Sequence, residues 1–294
     1  MADGLVAITS GELTAKLNPL GAELWSLTDH AGREYMTDAD PVFWSGRAPL
    51  LFPIVGMLAN GRYRLDGREY AMPKHGFARK SRFEILATAA DSVGFRLTDS
   101  AQTRAIFPFA FVLDLNFRIA GMTLAIAASV TNSGEQMLPF SFGFHPAFAW
   151  PLPGGAAKDA HRVVFAQPEP APIRRIDPAS GLVLRDSQST PVEGCTLLPT
   201  AKLFEPDALI WDRLASRALS FGAPGGSGID LAFPDTPMLG IWQKPGASYL
   251  CLEPWQGIAD PVDFTGDFRA KPGVVELRAG ESRVFRLAVT VRAG

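Results

Sequence analysis

FVLDLNFRIAGMTLAIAASV, residues 111–130, alternates apolar and polar positions on both sides of Ala120-Gly121. A period of two puts Phe111, Leu113, Leu115, Phe117 and Ile119 on one face of a pleated strand, with the charged residues on the other. Glycine at the break supplies the backbone freedom that a tight reversal needs. The stretch therefore predicts a β-hairpin with one face in a core.

The same period recurs outward in both directions. Leu13, Ala15 and Leu17 alternate with polar residues. FEILATA and VGFRLT predict two strands joined by Ala90-Asp91-Ser92, and the chain closes on VFRLAVTVR. β-Branched and aromatic residues dominate these runs, and no long helical periodicity interrupts them. The pattern predicts an all-β, antiparallel sandwich or barrel. No composition break divides the chain, so residues 1–294 read as one domain. The Pro- and Gly-rich stretches 151–160 and 165–173 read as long loops over a binding face.

Bulk composition excludes several partners. The net charge is −2, with Lys and Arg scattered. That removes the basic stripe of a nucleic-acid binder and the polybasic anchor of a membrane-surface protein. MADGLVAITSGELTAKL has neither a charged start nor an apolar run, so a cytoplasmic location is expected. Cys195 and Cys251 form no CxxC pair and read as buried thiols in a reducing compartment. With four histidines and no close His or Cys pair, no metal-ligand spacing appears. No dinucleotide or phosphate-loop glycine pattern appears either, and no cofactor is expected. Monomer and homodimer are both compatible with the sequence.

Three segments set one ionisable residue each among aromatic and conformationally special neighbours: Lys74-His75-Gly76-Phe77, Phe144-His145-Pro146 and Leu252-Glu253-Pro254-Trp255. Gly next to His75 permits close approach, and Pro after His145 and Glu253 holds the preceding residue extended. Singly, each signal is weak, because a lone His in an apolar stretch is more often a hydrogen-bonded structural residue. Together they supply a carboxylate and two imidazoles, the groups that general acid–base chemistry uses. His30 and His161 lie in turn-like contexts and are assigned to the surface.

LLFPIVG near residue 51, KHGFAR, FGFHPAF, the DALIW run at Asp207 and IWQKPG…CLEPWQG together resemble the aldose 1-epimerase family over nearly the whole chain and in the same order. The resemblance implies a galactose-mutarotase-like β-supersandwich and a monosaccharide substrate whose α and β anomers are interconverted. It implies Glu253 as catalytic base, His145 as catalytic acid and His75 as a second histidine of the sugar site. Asp207 and Arg47 would hold sugar hydroxyls, and Trp255 would pack on the ring. Relatives carry Arg after the Ile-Val-Gly run, where this chain has Met57; Arg47 or Arg62 are the candidates to compensate. A hexose-6-phosphate 1-epimerase would need a further cationic cluster. Arg79, Lys80 and Arg82 are its best source, but they read as a solvated face. A non-catalytic sugar-binding protein is the alternative from another class.

Overall fold

The computed structural model describes residues 4–294. The hairpin at 111–130 is present, with strands Phe111–Ala120 and Thr123–Asn132 and the pair Ala120–Thr123 flanking the loop. Gly121 takes φ +52°, as glycine at the first position of a two-residue hairpin loop allows. The reversal lies one residue later than the sequence places it.

This hairpin sits inside a nine-stranded antiparallel sheet. Its spatial order is Thr196–Leu197, Arg162–Phe165, Ala218–Gly222, Gly228–Ala232, Ser282–Arg292, Thr123–Asn132, Phe111–Ala120, Ser92–Thr98 and Glu84–Thr88. The closing strand Ser282–Arg292 thus joins the middle of the sheet, pairing with both Thr123–Asn132 and Gly228–Ala232. Glu84–Thr88 forms the edge and is exposed along its length. The only α-helix among the described residues is Ala101–Ile106, capped by Ser100. No helix of the described residues is long and apolar enough to cross a membrane.

A second antiparallel sheet runs Leu209–Trp211, Met238–Trp242, Tyr249–Gln256, Phe142–Phe144 and Leu50–Leu51, with Ala147–Ala149 also pairing to Tyr249–Gln256. The apolar faces of the two sheets meet. Phe142 stacks on Phe285 at 4.8 Å between ring centroids, and Phe52 meets Phe111 edge-on at 5.1 Å. One buried apolar cluster extends from Ile8 to Val291. Burial on this scale, at about 25 cal/mol per Å² of apolar surface, is the main favourable term of the fold.

Strand Tyr249–Gln256 is buried on both faces. Leu250 and Leu252 enter the main core, whereas Cys251, Glu253 and Trp255, pointing the other way, belong to the opposite side of the sheet. That opposite side carries the site described below.

Two residues lie elsewhere than their sequence contexts imply. His161 is buried, not on the surface: its Nε2 accepts from the Leu152 N–H at 3.0 Å, and its Nδ1 donates to the Ala157 carbonyl at 2.9 Å. Short-range bonds of this kind satisfy both ring nitrogens inside the turn. Cys195 is half-buried, although Cys251 is fully buried, and both are free thiols.

Lys271 Nζ donates to Asp260 Oδ1 at 2.7 Å, both side chains buried, while Asp260 Oδ2 accepts from the Ala59 N–H. Removing one member of a buried pair leaves the other charge without compensation. Lys271→Met is therefore expected to cost about 3–5 kcal/mol of stability; urea unfolding curves of both proteins check the difference.

Candidate active site

The outer face of the second sheet forms the floor of a cleft of about 240 Å³. Ile210, Trp242, Glu253 and Trp255 project into it from adjacent strands, because alternate residues of each strand share a face. Gly143 and Gly240 make room for the Trp255 indole: a Cβ at either would lie 2.6 or 2.4 Å from it. Trp44, Ile176, Gly181, Asp207 and Ala208 form the other walls.

His145 occupies the break between Phe142–Phe144 and Ala147–Ala149, where Pro146 follows it. Its Nε2 lies 3.1 Å from Glu253 Oε2, and both side chains are buried. Trp44 stacks on the His145 ring at 4.9 Å, and His75 meets it edge-on at 5.7 Å. His145 Nδ1 and Trp255 Nε1 are buried without a hydrogen-bond partner among the described residues.

His75 is held by its backbone. It adopts φ +67°, Gly76 adopts φ +73°, and a Cβ on Gly76 would come 2.1 Å from the Phe52 carbonyl oxygen. The His75 N–H donates to the Gly56 carbonyl at 2.9 Å, and the Gly56 N–H donates to His75 Nδ1 at 3.1 Å. Nδ1 is thus an acceptor, which leaves the proton of a neutral His75 on Nε2. Asp207 also has a left-handed backbone, φ +69°, and its Oδ1 accepts from the Ala208 N–H at 2.7 Å. Buried Arg175 supports that turn by donating to the carbonyls of Leu203 and Asp207 at 2.9 and 3.1 Å.

Burial governs the protonation of the central pair. It pushes His145 below the ordinary histidine value, and the positive charges of Arg79 and Lys74 push the same way. It pushes Glu253 well above the ordinary carboxylate range; Asp207 adds to the rise, while Lys74 and Arg79 oppose it. His75 is lowered by burial and then by its neighbour His145. Both shifts of the pair favour a neutral carboxylic acid against a neutral imidazole, one proton between them.

The geometry brings together five of the six residues singled out for the site: Glu253, His145, His75, Asp207 and Trp255 all line the cleft. Arg47 does not. Its guanidinium donates to the carbonyls of Trp25, Thr37 and Asp38 and lies 5.0 Å over the Trp25 ring. Those carbonyls present a ready set of acceptors that a five-donor guanidinium satisfies. Arg62, the other candidate to stand in for an arginine at position 57, lines a separate depression beside Tyr63 and Phe268. The stretches 151–160 and 165–173 also contribute nothing to the cleft wall, and Phe142, Phe144 and Phe148 lie in the core.

Sequence reasoning missed Trp44, Lys74 and Arg79. Arg79 was assigned to a solvated face, yet it lines the cleft, whereas Lys80 and Arg82 are exposed outside it. Its position four residues after His75, on the short turn Ala78–Lys80, was the available signal. A possible ligand set also emerges: one donor atom each of His145, Cys251 and Glu253 lie within 4.8 Å of one another. Burial raises the Cys251 thiol well above its usual range, which keeps it protonated and a poor metal ligand.

Residues 4–259 match the aldose 1-epimerase family. The chain belongs to that family. It is 31% identical over 274 residues to the chromosomal protein LacX of Lactococcus lactis subsp. lactis, covering 90% of this chain and 92% of LacX. A galactose mutarotase related enzyme from Lactobacillus acidophilus superimposes with a TM-score of 0.91 at 29% identity, over 98% and 97% of the two chains. A galactose mutarotase-like protein from Lactobacillus casei gives 0.90 at 29%, over 98% and 100%. The all-β architecture is thus the galactose-mutarotase-like antiparallel sandwich.

The Arg47 bonds make that residue structural. Arg47→Ala is expected to lower stability by about 1–3 kcal/mol through the orphaned carbonyls, with the KM for sugar nearly unchanged. Thermal unfolding and initial-rate kinetics on the same preparation separate the two effects.

Proposed function

We propose that this protein is an aldose 1-epimerase that interconverts the α and β anomers of a monosaccharide by general acid–base ring opening and closure. The observation that carries the reading is the 3.1 Å contact between His145 Nε2 and Glu253 Oε2 inside a cleft walled by indoles. A proton donor and a proton acceptor side by side suit a reaction whose two transfers occur at neighbouring oxygens, O1 and the ring oxygen of one sugar.

In the forward step ionised Glu253 takes the C1 hydroxyl proton, the electron pair on O1 closes the carbonyl, and the bond from C1 to the ring oxygen breaks. His145, protonated, gives its proton to the departing ring oxygen. Rotation about C1–C2 presents the other face of the aldehyde. On closure His145 takes the proton from the attacking C5 hydroxyl and Glu253 returns its proton to O1. Ring opening converts a carboxylate and an imidazolium into a neutral acid and a neutral imidazole. Burial favours that neutral pair, so the resting pair reaches the reactive carboxylate–imidazolium form by moving its one shared proton from Glu253 to His145. Asp207 and His75 would hold hydroxyl groups, and Trp255 would pack on the apolar face of the sugar.

Glu253→Gln keeps shape and hydrogen bonding and removes the base. It should lower kcat by about 10²-fold or more while sugar still binds. Two-dimensional exchange NMR of anomers, with binding followed by calorimetry, measures both; near wild-type exchange would remove Glu253 from the catalytic role.

The pH profile carries its own sign. The active pair holds one shared proton. His145 is depressed, so the second proton joins only well below the ordinary histidine value, and the acid limb of kcat/KM should lie well below pH ~6.5. Glu253 is elevated, so the shared proton is lost, and activity with it, only above the ordinary carboxylate range. An acid limb centred near ~6.5 would mean that the cleft does not desolvate His145.

A further inference from the structure

A second cavity adjoins the cleft and shares Asp207 and Trp242 with it. The same four chain segments build both. Trp44 lines the cleft, and Phe43 before it lines the neighbour. Ile176 and Gly181 face the cleft, and Pro178 between them faces the neighbour. Phe204 and Glu205 extend the Asp207 turn into the second cavity, and Lys244 and Pro245 extend the Trp242 strand into it. The second cavity holds about 350 Å³ against about 240 Å³ for the cleft. If the cleft has room for one sugar ring, its neighbour has room for another.

The lining matches the two kinds of surface that a sugar presents. Phe43, Phe204 and Trp242 supply rings, and Pro178 and Pro245 add stiff apolar faces. The C–H faces of a pyranose pack on such surface, while its hydroxyls need hydrogen-bond partners. Lys244 and Glu205 are exposed, and neither side chain enters an ion pair or hydrogen bond among the described residues. Asp207 Oδ1 is engaged by the Ala208 N–H, which leaves Oδ2 for a hydroxyl at the junction of the two cavities. The protein's own contacts hold these walls. Gly246 turns at φ +89° against Phe43, where a Cβ would lie 3.2 Å from the ring. Trp242 meets Trp44 edge-on and Tyr249 at a tilt, each at 5.7 Å between centroids. Arg175 clamps the carbonyls of Leu203 and Asp207, the ends of the turn that carries Phe204 and Glu205. Walls fixed in advance lose little freedom when a ligand docks.

Anomer exchange needs a free C1 hydroxyl, so an occupant of the second cavity must be attached through another position of the reacting ring. We propose, building on the epimerase reading, that the substrate is a reducing disaccharide or longer oligosaccharide. Its reducing ring lies in the cleft against Glu253 and His145. The next sugar unit lies in the second cavity against Phe43 and Trp242, with Lys244 and Glu205 on its hydroxyls. The glycosidic bond stays intact; only the bond from C1 to the ring oxygen of the reducing unit opens and closes.

Maltose, lactose, isomaltose and melibiose all end in a reducing glucose, the first two linked at O4 and the last two at O6, so glucose is the common reference. Anomer-exchange NMR gives kcat/KM for each sugar, with calorimetric titration alongside. At least one disaccharide should exceed glucose by ~10-fold or more, a modest gain for a second bound ring. The better pair tells which hydroxyl carries the second unit. In Phe43→Ala and in Lys244→Ala the ratio of disaccharide to glucose kcat/KM should fall toward one; Lys244 is exposed, so its variant reports even where Phe43→Ala folds poorly. If glucose exchanges and no disaccharide surpasses it, the second subsite is refuted and the epimerase reading stands. A preference that survives in the double variant refutes the subsite as well. If no sugar exchanges faster than in buffer, yet a disaccharide binds more tightly than glucose and the double variant loses that difference, the subsite stands and the epimerase reading falls. Neither exchange nor tighter disaccharide binding overturns both.

Discussion

Strand Tyr249–Gln256 is committed on both of its faces, and the rest of the molecule is arranged around that constraint. Its even residues, Leu250 and Leu252, are part of the apolar layer between the two sheets. Its odd residues place Cys251, Glu253 and Trp255 on the far side. A slip of one residue would drive Glu253 into the core and expose the leucines. Hydrogen bonding to Met238–Trp242, Phe142–Phe144 and Ala147–Ala149 fixes the register from both edges. The same pairing that secures the core therefore sets the height of the Glu253 carboxylate opposite His145.

The site is built by desolvation as much as by contact. Trp44, Trp242 and Trp255 surround the His145–Glu253 pair with aromatic surface and leave it buried. In that setting charges are disfavoured, which pulls the two pKa values toward neutral partners. Lys74 and Arg79 lower the pKa of both members, opposing the effect of burial on Glu253 and adding to it on His145. They ease ionisation of the carboxyl while holding the imidazole neutral. A pair whose environments act separately on each partner is suited to passing one proton back and forth between two oxygens.

Local backbone constraints complete the arrangement. Left-handed conformations at His75, Gly76 and Asp207 aim side chains that regular strands would direct elsewhere. Non-glycine residues in that region carry strain, which the reciprocal Gly56–His75 bonds and the Arg175 bonds to the Asp207 turn offset. Gly76 approaches the Phe52 carbonyl so closely that no other residue fits without moving the backbone.

The sequence alone determined the all-β class, the strand runs of the hairpin, the edge pair and the closing strand, and five of the cleft residues. Alternation is a local property: a period of two survives in any antiparallel sandwich, so Phe111–Ala120 and Ser282–Arg292 were legible without knowing their neighbours. His75, His145 and Glu253 were legible because each sits beside a glycine or proline in an aromatic segment. Only the tertiary structure decided which charges face the cleft. Arg47 and Arg79 look alike in the chain, each a basic residue among small and aromatic neighbours. One finds carbonyls of Trp25, Thr37 and Asp38 in reach and is consumed by them; the other meets no acceptor and turns into the cavity. His161 was misplaced for the same reason, since the Leu152 and Ala157 backbone groups that draw it inward come from the fold of the turn. A long polar side chain goes where unpaired partners lie, and the positions of those partners are set by sheet register and loop packing rather than by adjacent sequence.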